Sequence, residues 1–193
     1  MNNEEFEIKF LEVDVQALEK KLLEIGATKT GEYEYTRTIF YFTENHVGGR
    51  DGWMRVRTDG TETTLTFKKS IKEKSEDGEM KNIGMNEIEI TVDNYERTCQ
   101  LMKAMGLIED KVEKNRRIRY TKGDVVFDID FWPFIPTYLE IESTSYEKVK
   151  IGAKELGLDP EAGVIGTAGS VYQTYGFNVR EYSTITFEGM VKK

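Results

Sequence analysis

Glu5-Phe6-Glu7-Ile8-Lys9, Glu87-Ile88-Glu89-Ile90 and Glu140-Ile141-Glu142 alternate charge and hydrocarbon residue by residue. An extended strand turns successive side chains to opposite faces. Each string therefore puts its acids on one face, roughly 7 Å apart along the strand, and its apolar residues on the other. A sheet that repeats this arrangement either solvates its charged face or uses it to hold cations.

The remaining sequence supplies more strands of the same kind. Residues 33–42, 53–58, 62–69, 112–121 and 124–131 are rich in β-branched and aromatic residues. Gly48-Gly49, Asp51-Gly52, Asp59-Gly60 and Lys122-Gly123 punctuate them as turns. Residues 70–83 are charged, with few apolar anchors, and read as a mobile hairpin loop. A helix signal follows each Glu-x-Glu string. Helices are predicted to start at Asp14, Asp93 and Ser145 or Thr144, and to stop at Gly26, Gly106 and Gly157. The strings begin 82 and 53 residues apart, an irregular period that excludes a solenoid. Connections too short for crossovers make the strands mostly antiparallel, and the fold class is α+β. No linker or composition shift divides residues 1–193, so one domain is expected.

Parity along the strands carries the functional argument. Arg55 and Arg57 oppose Met54 and Val56, Lys68 opposes Phe67, and Asp128 and Asp130 oppose Phe127 and Ile129. Lys114 and Arg116 are the least clean case, sharing a face with Val112 and Ile118. A solvated face would mix Ser, Asn and Gln among its charges, whereas both signs concentrate here strand after strand. If helices pack on the apolar faces, closing the sheet turns the charged faces inward. The expectation is an eight-stranded, mostly antiparallel closed barrel, a tunnel with a charged interior and helices packed outside.

Such an interior is costly unless its charges are paired or ligated. The carboxylates Glu5, Glu7, Asp130, Glu140 and Glu142 suit hard cations, Mg²⁺ or Mn²⁺. The bases Lys9, Arg55, Arg57, Lys68, Lys114 and Arg116 suit phosphate oxygens, the arginines through their fork. Acids for metal and bases for phosphate, with no Ser, Cys or His nucleophile among them, point to metal-assisted polyphosphate chemistry.

Composition removes other classes. A net charge of −8 argues against outer-surface binding to nucleic acid or anionic membrane. One cysteine, Cys99, allows neither an internal disulfide nor a thiolate metal cluster, and reads as core. The N-terminus lacks a signal-peptide pattern and no stretch approaches the roughly 18 apolar residues of a membrane span, so a soluble cytoplasmic protein is expected. A homodimer is left open. His46, the single histidine, reads as a surface-loop residue, Gly48-Gly49-Arg50 is not a P-loop, and Trp53 and Trp132 read as packing residues.

These residues resemble the CYTH superfamily, the triphosphate tunnel metalloenzymes, which includes class IV adenylyl cyclases, thiamine triphosphatases and inorganic tripolyphosphatases. Glu5, Glu7 and Lys9 match its Glu-x-Glu-x-Lys signature. Arg55 with Arg57, Lys68, Glu87 with Glu89, Lys114 with Arg116, Asp130, and Glu140 with Glu142 follow in the family's order, across residues 5–175. The resemblance implies a triphosphate-binding tunnel. Glu5, Glu7, Asp130, Glu140 and Glu142 would be its metal ligands, and Lys9, Arg55, Arg57, Lys68, Lys114 and Arg116 its phosphate ligands. Glu87 and Glu89 would orient the bases or contact the metal through water. Two departures stand out: the aromatic expected three residues after the Lys-x-Arg arginine falls on Arg119, with Tyr120 next, and the late Ser-Tyr pair is Ser170-Val171-Tyr172. Residues 176–193 form a C-terminal extension from which Arg180 or Lys192 could reach the tunnel mouth.

The expected activity is a metal-dependent triphosphate phosphohydrolase, with Glu5, Glu7, Lys9 and Glu142 carrying catalysis. The alternative is a class IV adenylyl cyclase, which would use the same residues. A noncatalytic polyphosphate- or nucleotide-binding module is the third reading, disfavoured because phosphate binding alone needs no such acid set.

Overall fold

The computed structural model describes residues 4–43, 52–74 and 80–193. His46 and Gly48-Gly49-Arg50 lie outside the described residues, so their readings are not addressed by it.

Eight strands close into a ring. They are β1 (Glu4–Phe10), β2 (Thr28–Tyr41), β3 (Gly52–Thr58), β4 (Thr63–Lys74), β5 (Met80–Val92), β6 (Ile108–Lys122), β7 (Val125–Phe131) and β8 (Tyr138–Ser143). Their order is β6-β2-β3-β4-β5-β1-β8-β7, and β7 pairs back onto β6. Every pair in the ring is antiparallel. A barrel of eight strands has room inside for side chains and one small ligand.

Of the expected loop over 70–83, residues 75–79 lie outside the described residues, and 70–74 and 80–83 are strand instead. Strand β4 runs on to Lys74 and β5 begins at Met80, pairing Ser70 with Met85 and Lys74 with Met80 across a bulge at Ile71/Lys72. Backbone ladders supply that pairing, so it does not need the apolar anchors whose scarcity suggested a loop. The C-terminal extension also has structure. A hairpin of β9 (Tyr182–Thr186) and β10 (Gly189–Lys192) attaches to β6 by a parallel pairing at Val112 and Glu113.

The helices fall where the capping signals place them. Helix α1 (Val15–Glu24) is capped by Asp14, whose carboxylate accepts from the Ala17 amide, and Gly26 follows at φ 81°. Helix α2 (Tyr95–Ala104) is capped by Asn94 instead of Asp93, a shift of one residue. Helix α3 (Tyr146–Glu155) starts after Ser145. A fourth, α4 (Ala168–Thr174), carries the Ser170-Val171-Tyr172 segment. Among the described residues, no helix is long and apolar enough to cross a membrane.

Apolar packing lies outside the ring. Leu18 and Leu22 of α1 and Val149, Ala153 and Leu156 of α3 cover Ile8, Phe127, Leu139 and Ile141 on the outward faces of β1, β7 and β8. Each fully buried Leu or Ile contributes about 2 kcal/mol. Cys99 and Met102 of α2 cover Phe40 and Val56. Helix α4 packs Val171 and Tyr172 on Trp132, Ile135 and Tyr138. With hydrocarbon spent on the outer layer, the inward side chains are polar: Lys9, Arg37, Glu87, Glu113, Asn115, Arg117, Asp128, Asp130 and Glu140 are all buried.

Candidate active site in the tunnel

The ring encloses a cavity of about 710 Å³ lined by charged side chains of β1 to β6 and β8, by uncharged residues of α4 and by the turn at Asn178–Arg180. A second cavity of about 300 Å³ shares Arg57, Glu89 and Arg119 with it and holds Tyr33 and Tyr35 on its wall. Period-two alternation is what aims these side chains inward.

Pairing of β1 with β8 builds the acidic centre. Its register sets Glu7 against Glu142 and Lys9 against Glu140. Carboxylate oxygens of Glu7, Glu140 and Glu142 consequently lie within 4.8 Å of one another. Lys9 Nζ sits 2.7 Å from Glu7 Oε1 and 2.9 Å from Glu140 Oε2, and is almost fully buried. Burial alone would neutralise it, but Glu140 and Glu7 outweigh that and hold the ammonium above its ordinary range. Glu140 is likewise held well below the carboxylate range, against its burial, by Lys9 and Arg117. Glu142 has acids for neighbours. Burial, then Glu5, Glu140 and Glu7, push it up to about 8. The centre is therefore short of positive charge, and hard carboxylate oxygens converging on one point fit Mg²⁺ or Mn²⁺.

Glu5 lies on the same strand but outside that group of three. Burial raises it, opposed by Lys68 and Arg55, so it faces the basic rows. Asp130 is also outside the group. It is fully buried, with Oδ1 accepting from Arg117 Nε at 2.8 Å and from Asn115 Nδ2 at 3.0 Å, and Oδ2 accepting from Arg117 NH2. Its oxygens are committed to the wall.

Arg55, Arg57, Lys68, Glu87 and Glu89 all line the cavity, as expected. Glu89 Oε2 accepts from Thr66 Oγ1 at 2.6 Å and from Arg55 at 3.2 Å, and lies 3.7 Å from Arg57. Glu87 pairs with Lys68. Burial, with Arg55 and Arg37 close by, lowers Arg57 to about 9. Burial and Arg55 lower Lys68 to about 7.

Lys114 and Arg116 are corrected by the structure. They project from the outer face of β6, Lys114 lying 3.7 Å from Glu188 and Arg116 4.8 Å from the Phe131 ring. The inward set is Lys111, Glu113, Asn115, Arg117 and Arg119, of which only the asparagine lacks a charge. Five alternate polar residues were the available signal, while Val112 and Ile118 beside Lys114 and Arg116 marked the outward face. Counting from Arg117 places Tyr120 three residues on, which removes the departure noted in the sequence. Arg117 is nearly saturated by acids: NH1 donates to Asp128, and NH2 to Asp130 and, at 3.2 Å, Glu140. Arg119 donates to both Asp128 oxygens, at 2.7 and 2.6 Å. Arg37 and Trp132 also line the cavity, as does Arg180 from the C-terminal extension. Lys192 instead lies outside, 5.9 Å from the Tyr182 ring.

The CYTH domain family model matches residues 3–167. No curated protein matches the chain. Among solved structures, the PH1012 protein of Pyrococcus horikoshii is similar at 23% identity and TM-score 0.67, over 83% of this chain and 94% of that one. A candidate adenylate cyclase of Vibrio parahaemolyticus aligns at 12% identity and TM-score 0.70, over 90% and 99%. A Hippeastrum protein, assigned as a candidate adenylyl cyclase with a dominant triphosphatase activity, aligns at 16% identity and TM-score 0.58, over 89% and 96%. At these identities the likeness is one of fold.

Proposed function

The chain belongs to the CYTH domain family, and on that premise we propose that it is a divalent-metal-dependent triphosphate phosphohydrolase. The observation that carries this reading is the division of the tunnel. Glu7, Glu140 and Glu142 converge at one wall, while Arg55, Arg57 and Lys68 stand on strands β3 and β4.

Glu7, Glu140 and Glu142 would hold the divalent ion, with Lys9 fixing Glu7 and Glu140 in place. Bound there, the ion would neutralise phosphate charge and lower the pKa of water. Arg55 and Arg57 bind non-bridging phosphate oxygens through paired N–H groups and keep the chain extended in the tunnel. Glu89, held by Thr66 and Arg55, orients both guanidiniums without being buried itself. Lys68, paired with Glu87 on the adjacent strand, adds a further cation to the row that would meet the phosphates. Attack at the terminal phosphorus releases orthophosphate and expels the remaining diphosphate, pyrophosphate from tripolyphosphate or the organic diphosphate otherwise, whose leaving charge falls on the same basic rows.

The test is turnover of tripolyphosphate, thiamine triphosphate and ATP in ¹⁸O-labelled water with Mg²⁺ or Mn²⁺. One labelled oxygen should enter orthophosphate and none the diphosphate co-product, pyrophosphate, thiamine diphosphate or ADP. Cyclic AMP as the dominant product from ATP would overturn the reading in favour of a cyclase. Metal-independent binding without turnover would favour a noncatalytic module.

A further inference from the structure

We infer that Arg37, a residue of β2 outside every motif, holds a phosphoryl group of the substrate. The inference rests on the polyphosphate reading above and adds a residue that the recurring motifs do not supply.

Arg37 is 7% exposed and lines the cavity. Its NH2 donates to Asn115 Oδ1, and Asn115 Nδ2 donates in turn to Asp130 Oδ1 at 3.0 Å. Its guanidinium carbon stands 4.7 Å from the centre of the Trp132 ring. These contacts fix the plane of the guanidinium but do not neutralise it. Among the described residues, no carboxylate lies within ion-pair distance of Arg37, and its Nε has no hydrogen-bond partner. Glu113, across the β2–β6 pairing, acts on it only at longer range.

The neighbours add to the imbalance. Arg37 is paired with Arg57 across β2 and β3, and Arg55 lies close enough to lower both. Glu89 serves Arg55 and Arg57 together. Among the described residues, this cluster of three guanidiniums thus has one carboxylate at ion-pair distance, and it serves only two of them. Five inward cations of β1, β4 and β6 differ: Lys9, Lys68, Lys111, Arg117 and Arg119 each have an acid beside them. A buried cation without a counter-charge is among the costlier features a fold can retain. The missing charge has to come from the cavity, and a phosphoryl group offers several acceptor oxygens to match guanidinium forks. Its pre-set plane means little ordering remains to be done on binding.

The prediction separates ligand holding from a structural role. Arg37→Met keeps the stem and removes the charge, so the empty protein should melt at the wild-type temperature or above. Its affinity for sodium tripolyphosphate, titrated calorimetrically in EDTA so that nothing turns over, should fall roughly ten-fold or more. Arg37→Met with wild-type affinity, or with a lower melting temperature and unchanged affinity, overturns the role of Arg37 and leaves the polyphosphate reading standing. Should that variant fail to fold, Arg37→Lys keeps the charge but loses the fork and the stack on Trp132. It should bind about three-fold more weakly or worse, and wild-type affinity in it overturns the role equally. Wild-type protein that binds no tripolyphosphate, with or without a divalent ion, contradicts the polyphosphate reading itself.

Discussion

Arg117 Nε donates to Asp130 Oδ1 at 2.8 Å, inside a wall where both residues are buried. An aspartate that the motif order assigns to the metal is thereby held by a guanidinium and by Asn115. The acids of the tunnel fall into two groups: those that clamp arginines into the wall, and those that converge on one another around Glu142.

The two groups should respond oppositely to substitution. Asp130→Ala leaves Arg117 short of a buried partner and should cost about 3 kcal/mol of stability in urea unfolding. The protein that remains folded should bind Mn²⁺ within about three-fold of wild type. Glu142→Gln removes a crowded acid, so its stability should hold or rise, while its affinity for Mn²⁺ falls at least roughly ten-fold. Equal loss of metal affinity in both variants would return Asp130 to the metal.

The faces of β6 give a second contrast. Lys114→Ala with Arg116→Ala changes only the outer surface and should leave kcat/KM within about two-fold of wild type. Arg57→Ala removes a tunnel guanidinium and should lower kcat/KM by about 100-fold. Steady-state kinetics on the triphosphate that proves to be turned over decides between these outcomes.

Those faces also show how far the sequence can be read. The ring, its tunnel and its acidic centre were legible because β1, β3, β7 and β8 alternate cleanly, one side charged and the other hydrocarbon. Strand β6 obscured its parity by placing Lys114 and Arg116 beside Val112 and Ile118 on the outer face, and the motif order overrode the parity. Arg37 was illegible for a different reason. Its inward neighbours on β2 are Tyr35 and Ile39, so no charged row announces it. For Asp130 the sequence shows type and strand, while its register opposite Arg117 and its hydrogen bonds to Arg117 and Asn115 needed the structure.

Protonation of the centre gives a pH dependence. Glu142 titrates at about 8 in the folded chain because of burial and its acidic neighbours, against roughly 4.3 when unfolded. Between those values the folded chain keeps a proton that the unfolded chain releases. The contribution of Glu142 to stability is therefore complete below about pH 4.3 and is lost as the pH rises through about 8. Lys68 acts in a later window, adding stability as the pH rises from about 7 towards roughly 10.4. In calorimetry without divalent ions, the melting temperature of wild type should fall between about pH 5 and pH 7 relative to Glu142→Gln. Parallel curves would contradict the raised pKa of Glu142.

Gly163 tests the support behind β1. A Cβ there would lie 2.0 Å from Ile8 Cγ2, and its neighbour Val164 exchanges backbone hydrogen bonds with Lys9 at 2.9 and 2.8 Å. Gly163→Ala should destabilise the fold by about 1–3 kcal/mol, read by chemical unfolding, because the Ile8 side chain or the Lys9 pairing must yield.

The central claim is that this tunnel hydrolyses a triphosphate with a divalent ion held by Glu7, Glu140 and Glu142. Following tripolyphosphate by ³¹P nuclear magnetic resonance, with wild type and Glu142→Gln side by side in Mg²⁺ and then in EDTA, tests it most directly. Wild type should release orthophosphate and pyrophosphate in equal amounts with Mg²⁺ and neither in EDTA, and Glu142→Gln should release neither. Hydrolysis that persists in EDTA, or in Glu142→Gln at the wild-type rate, would contradict it.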